Sequence, residues 1–417
     1  MTLEKVASRD QMRRAKEALL SGTSRDSFSD LIHKDRAAFS GLRVLYASDV
    51  TGAPIQEKLT DTRNVQSIFA GKGVLAFSDA IEDSMRHGEA VISIGTRPLI
   101  DTNLFSDLPR FLSGEELKTR DRIEMTLDYL SSTFGSPLLD WSFASLENMR
   151  EAAKPDNPWP VRKSAAALHY VAYGRTRQSS DQFAEFKPMA IDQWQHWLKS
   201  DAMWHQVHRR DMVYAVLLLA FIEAWSGEKI PLALRRMLTF CLDCLGVVPV
   251  KELYFGWKLL RGFHQPELAL GIFSEPSLRQ PKPETLSRMG AAAWDLFLFR
   301  WCETQMTETP AFDQQAGVVD FFVPAVTTLD EALLRAIRAC PLKALLVHDE
   351  GQMVDTVFAD ELKFHRDLQE EMTADLHQRV FDPVRSANSG LVAPSALNKA
   401  IRNLEAKVLT MAGSKPV

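Results

Sequence analysis

The chain has 417 residues, 46% hydrophobic and 25% charged, which is enough apolar material for a large core and excludes a disordered polypeptide. A net charge of −5 excludes a protein that is basic overall, so a polyanion would have to meet a local basic face. Four cysteines (Cys241, Cys244, Cys302 and Cys340) are too few for a disulfide framework and lead us to expect a reducing cytoplasm.

Met1 to Leu20 mixes charges throughout and lacks an apolar h-region, so no signal peptide is expected. Polar helices are predicted around Met12–Leu20 and Phe28–Phe39, and a short strand over Leu42–Ala47. Val74–Met85 alternates and then turns helical, and Val91–Ile100 reads as a strand. Leu104–Leu112 and Arg120–Phe134 have helical apolar spacing, with Ile123, Leu127, Leu130 and Phe134 on one face. Ser136–Ser142 reads as a strand or turn leading into a helix that carries Leu146 and Met149 inward.

A Pro-rich break at Lys154–Pro160 and a second at Pro276–Pro283 bracket a stretch that is helical almost throughout. The longest apolar run, Val213–Trp225, lies in this stretch and is too short to span a bilayer, so no membrane contact is expected. Beyond the second break, Glu284–Thr304 reads as a helix, Val318–Val326 as a strand, Glu331–Ala339 as a helix and Lys343–Val347 as a strand. Amphipathic helix is expected from Met353 onward. Strands alternating with helices on both sides of an insertion predict an α/β fold with a parallel sheet.

Two acids end apolar strands: Asp101 after Pro98-Leu99-Ile100, and Asp330 after Thr328-Leu329. A carboxylate at the end of a buried strand is desolvated and must be paired or bind a cation. Both also stand where helix N-caps would stand, and capping is compatible with metal binding. Glu147 lies in Ser142-Phe143-Ala144-Ser145-Leu146-Glu147, and Asp295 in Trp294-Asp295-Leu296-Phe297-Leu298. An unpaired Asp among such apolar neighbours is costly to keep for packing alone.

These four segments, in this order, resemble the PIN-domain family of nucleases. The family's motifs are an apolar strand ending in Asp followed by Thr or Ser and Asn, a Glu on a helix, an Asp opening an apolar helix, and a strand followed by Thr-x-Asp. Leu99-Ile100-Asp101-Thr102-Asn103, Glu147, Asp295 and Thr328-Leu329-Asp330 fit them. The resemblance covers about residues 91–150 and 284–350, and the spacing between Glu147 and Asp295 is far longer than usual.

The resemblance implies a PIN-like parallel sheet flanked by helices at 86–155 and 284–352. A large helical insertion would occupy 156–283. A helical extension would occupy 1–85 and a C-terminal helical segment 353–417. It implies a metal-dependent endoribonuclease that hydrolyses phosphodiester bonds with Mg²⁺ or Mn²⁺. Asp101, Asp295 and Asp330 would be ligands, and Glu147 would orient water or hold a second ion. Asn103 and Thr328 would support the carboxylates.

The segment from Arg162 to Lys282 carries sixteen Lys and Arg against eleven Asp and Glu. Arg162, Lys163, Arg175, Arg177, Arg209 and Arg210 are candidate nucleic-acid contacts, interleaved with Tyr170, Tyr173 and Trp204 that could stack on bases. A bundle with solvated cations and core aromatics fits the same pattern. The lone Cys241-x-x-Cys244 is expected as helix cysteines rather than a zinc site. RNA is the expected partner, with a homo-oligomer or regulatory protein as further candidates. Two other readings fit these residues: a non-catalytic PIN-like scaffold, and a metal-dependent nucleotide phosphohydrolase.

Overall fold

The computed structural model describes residues 3–22, 27–49, 57–58, 64–88, 94–134, 139–176, 181–265, 281–282, 284–307, 312–313, 317–318, 321–350, 353–380 and 392–413. The class is mixed α/β. The N-terminal half runs α1 (Leu3–Ser21), α2 (Phe28–Lys34), α3 (Arg36–Phe39), β1 (Leu42–Ser48), β2 (Glu57–Lys58), β3 (Val65–Ser67), β4 (Gly73–Phe77) and α4 (Asp79–Arg86). It continues with β5 (Ile94–Ile100), α5 (Thr102–Leu112), α6 (Arg120–Phe134) and α7 (Ser142–Ala152).

Helices α8 (Trp159–Tyr173), α9 (Lys187–Lys199), α10 (Asp201–Trp225), α11 (Ile230–Phe240) and α12 (Val250–His264) follow, with a π turn at Cys241–Leu245 before α12. The chain then forms α13 (Thr285–Met306), β6 (Phe312–Asp313), β7 (Gly317–Val318), β8 (Phe321–Thr327), α14 (Glu331–Ala339), β9 (Leu342–His348) and β10 (Met353–Phe358). It ends with α15 (Glu361–Glu370), α16 (Ala374–Val380) and α17 (Pro394–Met411).

One sheet has the order β10-β9-β1-β4-β2 and is antiparallel throughout. The other has the order β3-β8-β5, with β5 and β8 parallel and β3 antiparallel to β8. The expected parallel sheet is therefore reduced, among the described strands, to the β5–β8 pair. A single parallel bridge from Leu99 to Asp140 extends it on the far side of β5. Phe69 bridges Leu342 and links the two sheets.

Strand β8 is buried at all seven positions, as a strand covered on both faces must be. Its Pro324 lies one residue beyond the β3 ladder, which ends at Ala325, so the missing N–H costs no bond on that edge.

Two expected segment boundaries change. Residues 1–85 are not a helical extension, because β1 pairs with β9 and β3 with β8, embedding the N-terminal segment in the core. The C-terminal segment does not begin as helix: Met353–Phe358 pairs with β9 as an edge strand. Its alternation of Val354, Thr356 and Phe358 carries period-two spacing that an amphipathic-helix reading overlooks.

The predicted helices between the Pro-rich breaks form around α10. Thirteen successive residues of it, Met212 to Ala224, are buried, the pattern of a helix surrounded by others. It packs on α12, α13 and α17, in one apolar cluster that also includes β8 and β9 residues. The run Trp204–Arg210 lies in the N-terminal half of this 25-residue helix. Positions 276–280 and 283 of the second expected break lie outside the described residues. Cys241 is buried as expected in a helical segment, but Cys244 is exposed, and both are free thiols. No described helix is long and apolar enough to cross a membrane.

Candidate metal centre

Strands β5 and β8 run side by side in register, Ile100 opposite Thr327, so the residues that follow emerge at one edge. The Asp101 N–H donates to Thr327 O at 3.0 Å and continues the ladder. The Asp101 side chain, only 5% exposed, caps α5 by accepting from the Leu104 N–H at 3.0 Å. Its other oxygen accepts from the Thr328 hydroxyl and, at 3.4 Å, from the Asn103 amide. The Thr328 hydroxyl oxygen in turn accepts from the Asp330 N–H at 2.9 Å. Asp330 caps α14 through the Ala332 N–H at 2.7 Å. The capping roles expected of Asp101 and Asp330 are both present, and Asn103 and Thr328 hold Asp101.

A brace fixes the β8 exit. Thr328 N–H donates to Asn64 O at 2.9 Å, and Arg122 donates to Leu329 O at 2.8 Å and Asn64 Oδ1 at 3.2 Å. The Asn64 amide donates to Thr126 Oγ1 at 2.8 Å. Asn64, Arg122 and Thr126 carry no motif, which is why the sequence does not single them out.

Helix α7 brings Glu147 to this edge, where it accepts a hydrogen bond from Thr102, the residue after Asp101. Helix α13 brings Asp295. Both side chains keep some solvent contact while surrounded by protein. Burial raises the Asp101 carboxyl to about 7, against the Leu104 and Thr328 donors, and the negative charges of Glu147 and Asp330 push it the same way. Burial likewise raises Glu147, against the Thr102 hydroxyl and the charges of Arg210 and Lys163. Asp295 is raised well above the ordinary carboxylate range by burial and by the charges of Glu147, Asp330 and Asp101. No described residue donates a hydrogen bond to it.

Asp295 thus feels the charges of the other three acids, and Asp101 those of Glu147 and Asp330. Among the described residues, however, no three His, Cys, Asp or Glu side chains stand ready to close on one ion. The donor set suits a hard divalent cation, since all four are carboxylates and one lacks any described donor.

The five candidate cations among the described residues each have partners of their own. Arg175 is held by Glu124 at 2.9 Å and by Asp128. Arg162 approaches Glu115 at 3.9 Å and lies 5.5 Å over the Trp159 ring. Arg209 donates to Gln206 at 3.0 Å. Arg177 lies outside the described residues.

The charges of Lys163 and Arg210 both reach Glu147. Lys163 donates to Asn148 Oδ1 at 2.9 Å, beside Glu147. Arg210 is buried, pairs with Asp211 at 3.2 Å, donates to Gly290 O, and lies 5.1 and 5.0 Å over the Tyr214 and Trp294 rings. The expected stacking aromatics are otherwise engaged: Tyr170 is 3% exposed in the core, Tyr173 donates to Glu185 at 3.0 Å, and Trp204 donates to Leu198 O at 3.0 Å. Comparison of the chain with protein-family models, curated proteins and solved structures finds no match.

Proposed function

We propose that the chain is a PIN-like, metal-dependent endoribonuclease acting through Asp101, Glu147, Asp295 and Asp330. The observation that carries this reading is the convergence of four carboxylates from β5, α7, α13 and the β8–α14 turn, with Asp295 among like charges and without a described donor. Such an arrangement is unfavourable by itself and is relieved by a cation. The β5–β8 pair with its Asp140 bridge would be the remnant of the PIN-like parallel sheet, with the acids at its carboxyl edge, where open α/β sheets bind ligands.

Asp101, Asp295 and Asp330 would hold Mg²⁺ or Mn²⁺, and Glu147 would orient the attacking water or share a second ion. The bound ion would supply charge neutralisation and a more acidic water. Thr328, Asn103 and Thr102 aim the carboxylates, and Lys163, which is only half-buried, would offer positive charge beside Glu147 for an RNA phosphate.

The test is cleavage of a single-stranded RNA with Mg²⁺ or Mn²⁺, with and without EDTA. Activity is expected only with the metal and is expected to vanish in the Asp101→Asn, Asp330→Asn double variant. Full activity in that variant overturns the reading. Turnover of mononucleotides without cleavage of oligonucleotides would replace it with a phosphohydrolase.

A further inference from the structure

One cavity has no part in that chemistry. It measures about 360 Å³, at the low end of the ~300–1,000 Å³ typical of small-molecule sites. None of the four acids lines it. Its walls include Trp141, Trp197, Phe322, Arg97, Gln193 and Asp140.

Flat surfaces dominate these walls. Trp197 stands edge-on to Trp194, ring centroids 5.2 Å apart at 87°, and the Trp194 indole N–H is fixed on Ser164 Oγ at 3.0 Å. The Arg97 guanidinium lies 4.6 Å from the centroid of the Phe322 ring. Two lining residues also carry a buried polar atom without a hydrogen-bond partner among the described residues: Trp141 Nε1, a donor, and Gln193 Oε1, an acceptor. An orphaned buried group costs about 1–3 kcal/mol, which favours a bound molecule that completes both bonds. The Asp140 carboxylate is already engaged, by the Ser142 N–H at 2.8 Å and the Gln305 amide.

We propose that this cavity binds the base of a nucleotide. Trp197, Phe322 and Arg97 supply planar surfaces for its face, and Trp141 Nε1 and Gln193 Oε1 meet the acceptor and donor of its edge. Arg97 lies in β5 and Asp101 directly follows that strand, four residues or roughly 13 Å further along. Ser142, on the cavity wall, and Glu147 share helix α7. A base seated here would belong to the same strand as a phosphate at the acids. That link rests on the nuclease reading, whereas base binding stands without it.

The experiment is calorimetric titration of the full chain in EDTA with AMP, CMP, GMP and UMP, and with ribose 5-phosphate as the base-free control. Saturable binding of at least one nucleotide with Kd below about 1 mM is expected, and none of ribose 5-phosphate. Trp197→Ala is expected to weaken binding about tenfold or more, as loss of a stacking surface does. Trp141→Phe and Gln193→Leu keep the cavity's shape and are each expected to weaken it about five- to tenfold.

Absence of saturable nucleotide binding overturns the proposal. So does equal binding of ribose 5-phosphate, or unchanged affinity in the folded Trp141→Phe and Gln193→Leu proteins. Nucleotide binding by a chain that cleaves no RNA with Mg²⁺ or Mn²⁺ overturns the nuclease reading alone and supports the base site.

Discussion

The Thr328 hydroxyl donates to the Asp101 carboxylate while accepting from the Asp330 N–H, so one side chain ties together the exits of β5 and β8. Thr328 is fully buried and Asp101 nearly so. Thr328→Val keeps the shape but leaves Asp101 without that donor and the Asp330 N–H without its acceptor. A loss of about 1–3 kcal/mol in unfolding free energy is expected, read as a lower urea midpoint with an unchanged slope. If Thr328 only filled space, the isosteric change would be close to neutral.

Asp295→Asn should act in the opposite direction on the metal-free protein. Burial and three like charges disfavour the Asp295 carboxylate, and a neutral amide of the same size escapes that repulsion. Thermal denaturation in EDTA should show the variant more stable than the parent by at least about 1 kcal/mol. The same variant should lose most of the rise in melting temperature that Mg²⁺ or Mn²⁺ gives the parent, since stabilisation by a ligand follows its affinity for the folded state. A variant less stable in EDTA but equally responsive to metal would contradict both expectations.

How much of this was legible in the sequence follows from range. Asp101 and Asp330 were visible because each ends an apolar run and opens a helix, two local signals on one residue. Residues 102–103 and 328 lie inside the same short motifs, which is why Asn103 and Thr328 could be named in advance. Asn64 and Arg122 could not be, since their roles depend on contacts with the β8 exit, more than 200 residues away in the chain. Sheet composition failed for the same reason. Strand period marks β1 but not its partner, and antiparallel pairing with β9 comes from tertiary packing, which also makes a strand of Met353–Phe358 where helix was expected. Composition counts charge without showing that Arg175 is held by Glu124 and Asp128, so it left the candidate cations open between a basic face and a bundle's solvated surface.

A second, partly buried network ties α1 and α12 to β10 and α15. Lys16 of α1 reaches Asp355 at 3.2 Å and Glu361 at 2.6 Å, while Lys251 of α12 reaches Asp355 at 3.3 Å and Glu303 at 2.9 Å. Glu303 is 2% exposed and is also bonded by Arg300 and, at 2.6 Å, by the Thr356 hydroxyl. Lys251→Met removes one cation from between the buried Glu303 carboxylate and the partly exposed Asp355. A loss of about 1–3 kcal/mol is expected in denaturant titration, less than for an isolated buried pair because Arg300, Thr356 and Lys16 still hold the two carboxylates. Replacing Arg175, whose partners Glu124 and Asp128 are exposed, should cost under about 1 kcal/mol.

The two clusters respond to pH with opposite signs. Burial raises Asp355, but Lys16 and Lys251 outweigh it and hold the carboxyl at about 2, below its unfolded value of about 3.9. Its contribution is therefore present above about pH 4 and is lost as pH falls through about 2. Asp101 is the reverse, at about 7 in the folded metal-free chain. Between about pH 4 and 7 the folded state holds a proton on Asp101 that the unfolded state has released, so metal-free stability falls as pH rises through that window, by roughly 4 kcal/mol at most. Urea titrations in EDTA at pH 5, 6, 7 and 8 should show this decline, largely flattened in Asp101→Asn. A divalent cation competes with that proton, so Mg²⁺ or Mn²⁺ should stabilise the chain more at pH 8 than at pH 5. A metal-free stability that rises between pH 5 and 7, and does so equally in Asp101→Asn, would mean that Asp101 is ionised without cost and that the carboxylates need no cation.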